Sequence, residues 1–255
     1  MQKHPLLLPA LVVLVGMTSC TFVQHRKDRE TRRSEVAEGL RHVTCTSHNG
    51  AIVIRGVPGK ATIDVTAKLT AFATSENAAS ELVEGLDVEV ARNGDELVVR
   101  GILPPSMPWG ANASVAFTIE APAELALRLV THNGSVEASG SSGNLSVVTH
   151  NGGVRVRSAA ESVELTTHNG GIDLVCEGDG AVHGSATTHN GGVQVDLGTR
   201  SSRIDASTRN GRLEATGVRV ESNGKHELRA VAGDGAGSLR VRTHNGSVRV
   251  RSSGS

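Results

Sequence analysis

The chain has 255 residues, enough for one large domain or two small ones. Its 26 basic and 26 acidic residues cancel, which excludes an overall field that would draw in nucleic acid. Aromatic residues make up 2%, tyrosine is absent and glycine numbers 30, so the composition predicts a narrow core of Val, Leu, Ile and Ala.

The first element is a targeting segment. Lys3 and His4 give a short basic start, and Leu6 to Gly16 form an apolar run of signal-peptide length, too short to span a bilayer. Residues 1–19 are expected to be a lipoprotein signal peptide. Met17-Thr18-Ser19-Cys20 resembles the bacterial lipobox, with Met17 in place of the usual Leu. Cys20 is then the lipidation site, and the membrane is a partner through that lipid anchor. Thr21, rather than Asp, follows it. By resemblance to lipoproteins this places the chain in the cell envelope, at the outer membrane in an organism with two membranes. Residues 20–35 carry five Arg or Lys among acidic residues and read as a lipidated, flexible tether.

Residues 36–126 read as an N-terminal β-rich part with one short inserted helix. Ala61 to Phe72 alternates as a strand. Ser75 is placed to cap a helix from Glu76 to Glu84, which Gly85 stops. Val88-Glu89-Val90 and Leu97-Val98-Val99 flank Asn93-Gly94, a hairpin signal. Pro104 to Trp109 is a loop against which Trp109 is expected to pack. Val115 to Ile119 is a further strand.

Residues 127–255 are a repeat. Thr-His-Asn-Gly stands at 131–134, 149–152, 167–170, 188–191 and 243–246, with variants at 47–50 (Ser47) and 208–211 (Arg209). From Asn133 through Asn151, Asn169 and Asn190 to Asn210 the steps are 18, 18, 21 and 20 residues. Apolar residues alternate on both sides of each copy, as in Leu145-x-Val147 before and Val154-x-Val156 after, so each copy joins two strands with one buried face each. The expected fold is all-β, a parallel β-helix or solenoid with coils of these lengths. Asn-Gly also marks two-residue hairpins, so an antiparallel sandwich is the rival. Two facts favour coils: equal spacing stacks like on like, and Glu137, Arg155 and Asp173 alternate in sign at one frame position.

The phase assigns directions. The threonines point inward. Asn133, Asn151, Asn169, Asn190, Asn210 and Asn245 share that phase and are expected inside the corners as a structural ladder of amides. Positive φ is the expected reason for Asn-Gly there. The histidines point out, and His132, His150, His168 and His189 are expected in a column about 4.8 Å apart. Such a column is a candidate site for a divalent metal; no other cofactor is implied. Stacked rings that repel when protonated also predict stability that declines as pH falls. Cys45 and Cys176 are read as buried small hydrophobes, not a disulfide.

This frame, repeated behind a lipobox and a strand-rich start with one helix, resembles the putative adhesin family, a bacterial surface domain. The resemblance runs from Val36 to Ser255. The family shows Asn-Gly-(Asp/Ser)-Ile/Val at its corners and defines no catalytic residue to carry over. No nucleophile elbow, phosphate loop or zinc-peptidase signature is present, so no enzyme is expected. The leading expectation is a structural or adhesive surface that engages envelope or extracellular polymers or proteins. A metal- or ligand-sensing module on the histidine column is the alternative, and a polysaccharide-active enzyme the third.

Overall fold

The computed structural model describes residues 24–253. The signal peptide and Cys20 lie outside the described residues. The N-terminal part begins with β1 (His25–Val36), β2 (His42–Asn49), β3 (Ile52–Val57) and β4 (Thr62–Ala73). It continues through α1 (Glu76–Glu84), β5 (Asp87–Asn93), β6 (Glu96–Ile102) and β7 (Asn112–Pro122). The repeats supply β8 (Ala126–Asn133), β9 (Val136–Ser141), β10 (Leu145–Asn151), β11 (Val154–Ser158), β12 (Ser162–Asn169) and β13 (Ile172–Cys176). Then come β14 (His183–Asn190), β15 (Val193–Asp196), β16 (Ser202–Asn210), β17 (Leu213–Thr216), β18 (Arg219–Asn223), β19 (Glu227–Ala232), β20 (Ser238–Asn245) and β21 (Val248–Arg251).

These strands form two large, mostly parallel sheets. One has ten strands in the order β1-β4-β7-β3-β9-β11-β13-β15-β21-β17. The other has eleven, in the order β18-β19-β16-β20-β14-β12-β10-β8-β2-β6-β5. Each Thr/Ser-x-Asn-Gly corner carries the chain from the eleven-stranded sheet to the ten-stranded one. The antiparallel pairs are confined to the outer strands.

Like residues stack because the frame has one register. Leu145 pairs with Leu127 and Val163, Thr149 with Thr131 and Thr167, and Asn151 with Asn133 and Asn169. The inward aliphatics of both sheets meet in one core, where Leu129, Val147, Leu165, Val156 and Leu174 have no accessible surface. Because β2 and β3 pair directly with β8 and β9, the stretches 36–126 and 127–255 share both sheets. Cys45 and Cys176 are free and buried within that core; burial pushes the Cys45 thiol far up and the Cys176 thiol up to about 11.

Three features depart from the sequence reading. First, the expected tether is largely a strand: β1 pairs with β4 along its whole length, from His25 opposite Ala73 to Val36 opposite Thr62. Its charges are what a sheet edge carries to discourage further pairing. Arg29 donates to the Leu86 carbonyl, Lys27 meets Glu76 at 2.5 Å, and α1 packs over β1 and β4. Second, Trp109, expected to pack against the proline-rich loop, is 82% exposed. Third, stacking order is not chain order. The β20–β21 repeat lies between β14–β15 and β16–β17, pairing with both.

Candidate functional site

The corners make one continuous surface, and each tetrapeptide position has a separate task there. The threonine turns in and is buried; its hydroxyl donates to the glycine carbonyl of the adjacent repeat. Thr131 reaches Gly50, Thr149 reaches Gly134, Thr167 reaches Gly152 and Thr188 reaches Gly170, all at 2.8–2.9 Å. Ser47 does the same toward the Val115 carbonyl at 2.7 Å.

The asparagines form a ladder. The side-chain amide of Asn151 donates to the Oδ1 of Asn133 at 2.7 Å, that of Asn169 to Asn151 and that of Asn190 to Asn169, both at 2.8 Å. Asn245 then donates to Asn190, and Asn210 to Asn245, each at 2.8 Å. Asn49 extends the series beneath Asn133 and donates to the Ala113 carbonyl. These six expected ladder residues are exposed, however, not inside the corner. The chain has already begun to swing from one sheet to the other at the asparagine, so the strand phase that buries the threonine no longer applies.

The glycine is needed for space. A Cβ on Gly152 would stand 2.0 Å from the Gly134 carbonyl oxygen, and one on Gly170 would stand 2.1 Å from that of Gly152. Among the described residues no non-glycine has positive φ, so the asparagines do not adopt the left-handed conformation expected of Asn-Gly. The contrast is Asn93-Gly94, which joins the antiparallel β5 and β6 and has Gly94 at φ +64°. The same dipeptide is a hairpin turn there and a close-approach corner in the repeats.

The histidines form the outer column. His132, His150, His168 and His189 stack with ring centroids 4.8 Å apart and planes within 8° of parallel. His48 adds a ring below at 5.2 Å, and His244 one above at 4.7 Å. Arg209 follows His244, since Thr208 and Asn210 pair with Thr243 and Asn245. Both added rings stand in tetrapeptide copies visible in the sequence. In chain order the Arg209 copy separates His244 from His189, and residues 51–130, which carry no copy, separate His48 from His132.

The stacked rings do not converge on one point in this arrangement. Imidazole lone pairs lie in the ring plane, and a point between two nearly parallel planes lies in neither. Among the described residues no group of three or more His, Cys, Asp or Glu is disposed to hold an ion. What the column does offer is periodicity. Each neutral ring presents one donor and one acceptor, repeated at the strand spacing.

Shallow grooves flank the column on both sides. On the eleven-stranded side Val130, Val148, Thr166 and Thr187 line a shallow groove beside the rings. On the ten-stranded side Ser135, Gly153, Gly171 and Gly192 floor a second groove, walled by Glu137, Arg155, Asp173 and Gln194. Arg155 bridges Glu137 at 2.7 Å and pairs in register with Asp173, so this wall holds no cluster of free carboxylates.

One buried charge escaped the sequence reading. Arg200 is 2% exposed, in the turn between β15 and β16. Its guanidinium donates to the carbonyls of Ala159 at 3.0 Å, Glu177 at 3.1 Å, Ala160 at 3.2 Å and Ala181. It ties three successive return turns together, and nothing in its sequence neighbourhood marks it.

No protein-family model and no curated protein matches the chain. Solved structures do. A putative cell adhesion protein from Clostridium sporogenes is similar at a TM-score of 0.50 and 15% identity, over 89% of this chain and 100% of that one. A putative adhesin from Bacteroides fragilis is similar at a TM-score of 0.40 and 11% identity, over 87% and 97%. A putative lipid binding protein from Parabacteroides distasonis is similar at 0.27 and 11%, over 89% and 95%. At 15% identity the likeness to the Clostridium sporogenes protein is one of fold.

Proposed function

We propose that this protein is a lipid-anchored adhesive β-solenoid of the bacterial cell envelope, whose corner surface holds an extended polymer. Two parallel sheets joined by one row of superposed corners support the solenoid reading. The signal-like segment ending at Cys20 supports the anchor. The histidine column carries the adhesive reading: six rings, each displaced by one strand spacing, form a ruler fitted to a linear partner with a short repeat.

The partner is an envelope or extracellular glycan, or an extended protein segment, that offers hydrogen-bonding groups along its length. The reading is non-enzymatic, because the outward carboxylates beside the groove alternate with arginines instead of converging on one point. The test is binding of the protein to arrayed glycans and envelope polymers, set against the His150→Ala/His168→Ala double variant. Removing two central rings costs about 1 kcal/mol each, so affinity falls about tenfold or more with the circular dichroism spectrum unchanged. Equal binding by both proteins overturns the reading. Acyl labelling that persists in Cys20→Ser overturns the anchor.

A further inference from the structure

The repeat formed by β20 and β21 is the last described one, yet it sits inside the stack. Its segment, Ser238–Arg251, fills a slot with two finished walls. Leu239 and Val241 pair with Gly184 and Ala186 on β14 and with Ile204 and Ala206 on β16. Val248 and Val250 pair with Val193 and Val195 on β15 and with Leu213 and Ala215 on β17. All four are buried. Asn245 closes the ladder between Asn190 and Asn210, and Thr243 donates to the Gly191 carbonyl at 2.8 Å.

One short loop, residues 233–237, joins this segment to the preceding strand. It has to arch over β16, which lies between β19 and β20. Glycines make the arch: Gly233 and Gly235 have φ of +58° and +73°, and a Cβ on Gly237 would stand 2.1 Å from the Val182 carbonyl oxygen. Each contact that holds the segment in its slot belongs to the common frame of the repeats, and none requires that the loop come from the same molecule. Five residues in extended form reach roughly 17 Å, enough to lead the segment out of its own stack.

We propose that Ser238–Arg251 is an exchangeable element and that its partner is a second copy of this chain. Two molecules trade these segments reciprocally, each filling the other's slot between β14–β15 and β16–β17. Every strand pair and ladder bond is kept, and only the 233–237 loop changes path, which is what makes exchange of identical elements a low-cost route to a dimer. β1 lies at the opposite end of the ten-stranded sheet from β21 and β17. The exchange surface is therefore remote from the start of the described chain.

The experiment uses two populations of the full chain, both carrying Cys20→Ser so that only buried native thiols remain. One carries Ser185→Cys and the other Arg240→Cys, positions that face each other in register across β14 and β20. They are mixed at high concentration in urea below the unfolding midpoint, diluted and mildly oxidised. Exchange gives a disulfide-linked heterodimer several-fold above a control pair of Glu137→Cys and Arg240→Cys. A yield equal to the control, or none, overturns the proposal. A further variant, Gly233→Val/Gly235→Val, makes the positive φ of the arch costly while keeping the loop's reach, and light scattering should find it dimeric. A folded monomer would overturn the proposal, and if that variant does not fold the cysteine pairs on the natural loop decide.

Discussion

The hydroxyl of Thr149 donates to the carbonyl of Gly134 across 2.9 Å, from one repeat to its neighbour. The bond runs opposite in sense to the backbone bond beside it, in which the Gly134 amide donates to the Asn151 carbonyl at 3.1 Å. Each corner is thus held from both directions. Thr149→Val keeps the shape but leaves a carbonyl without its donor, at a cost of about 1–3 kcal/mol. Thr149→Ser should stay near the parent, as Ser47 already does this work at its own corner. Urea denaturation with a constant slope checks both.

Neighbouring glycines at one corner should respond in opposite ways. Gly152→Ala forces a Cβ into the Gly134 carbonyl and should cost about 3 kcal/mol or more, in the range of severe backbone clashes. Gly153 faces outward, where a Cβ would meet the Gly171 carbonyl oxygen at 3.6 Å, an ordinary contact. Gly153→Ala should therefore stay within about 0.5 kcal/mol of the parent. Thermal unfolding of the two variants side by side makes the comparison.

Arg200 should be irreplaceable by an apolar residue of similar length. Arg200→Met removes the donor from carbonyls of Ala159, Ala160, Glu177 and Ala181 at once. One such orphaned acceptor costs about 1–3 kcal/mol, so the sum should exceed about 3 kcal/mol. Arg200→Lys should recover only part of it, since one ammonium cannot span the three turns. A melting temperature for Lys equal to the parent would show that the fork geometry is not used.

Acid should release β1 before the rest of the molecule. The Thr70 hydroxyl bonded to Asp28 holds that carboxyl below its ordinary range, as the Lys60 ammonium and the Ser34 hydroxyl do for Asp64. Both carboxylates tie β1 to β4. Depressed folded-state values mean the contribution is complete above the unfolded value of about 3.9 and is lost as pH falls through the folded ones. Hydrogen exchange over His25–Val36, corrected for its intrinsic pH dependence, should accelerate relative to β10 and β12 below about pH 4. Asp28→Asn/Asp64→Asn should show the same loosening at neutral pH. Uniform protection across strands would contradict it.

Much of the sheet architecture was legible because one frame says everything about its own repeat. Leu145-x-Val147-x-Thr149 names its buried face, Asn151-Gly152 its corner and His150 its outer column. Ser75 marked the helix start, and its hydroxyl accepts from the Ala78 amide at 3.2 Å. The failures have physical causes. His25–Val36 reads as solvated because its charges shield an edge, yet on its inner side it pairs with β4 along its whole length. The burial of the asparagines was an extrapolation of strand phase past the point where the strand turns. The place of Asn245 was invisible for the opposite reason: repeats with the same frame fit one another in any order, so the pattern that reveals the stack conceals its sequence. Arg200 contacts residues 19 to 41 positions away, and no local pattern encodes that.

The position of β20 and β21 sets a constraint on biosynthesis. A row of stacked repeats ordinarily grows from the ribosome outward, each new unit landing on the one made just before it. Here the unit beginning at Ser202 emerges first and must wait, unsupported on one side, until the strand that begins 36 places later, at Ser238, arrives to occupy the gap. Completion is thus a closing wedge instead of a final layer, and the interval before it is when two nascent molecules are most open to each other.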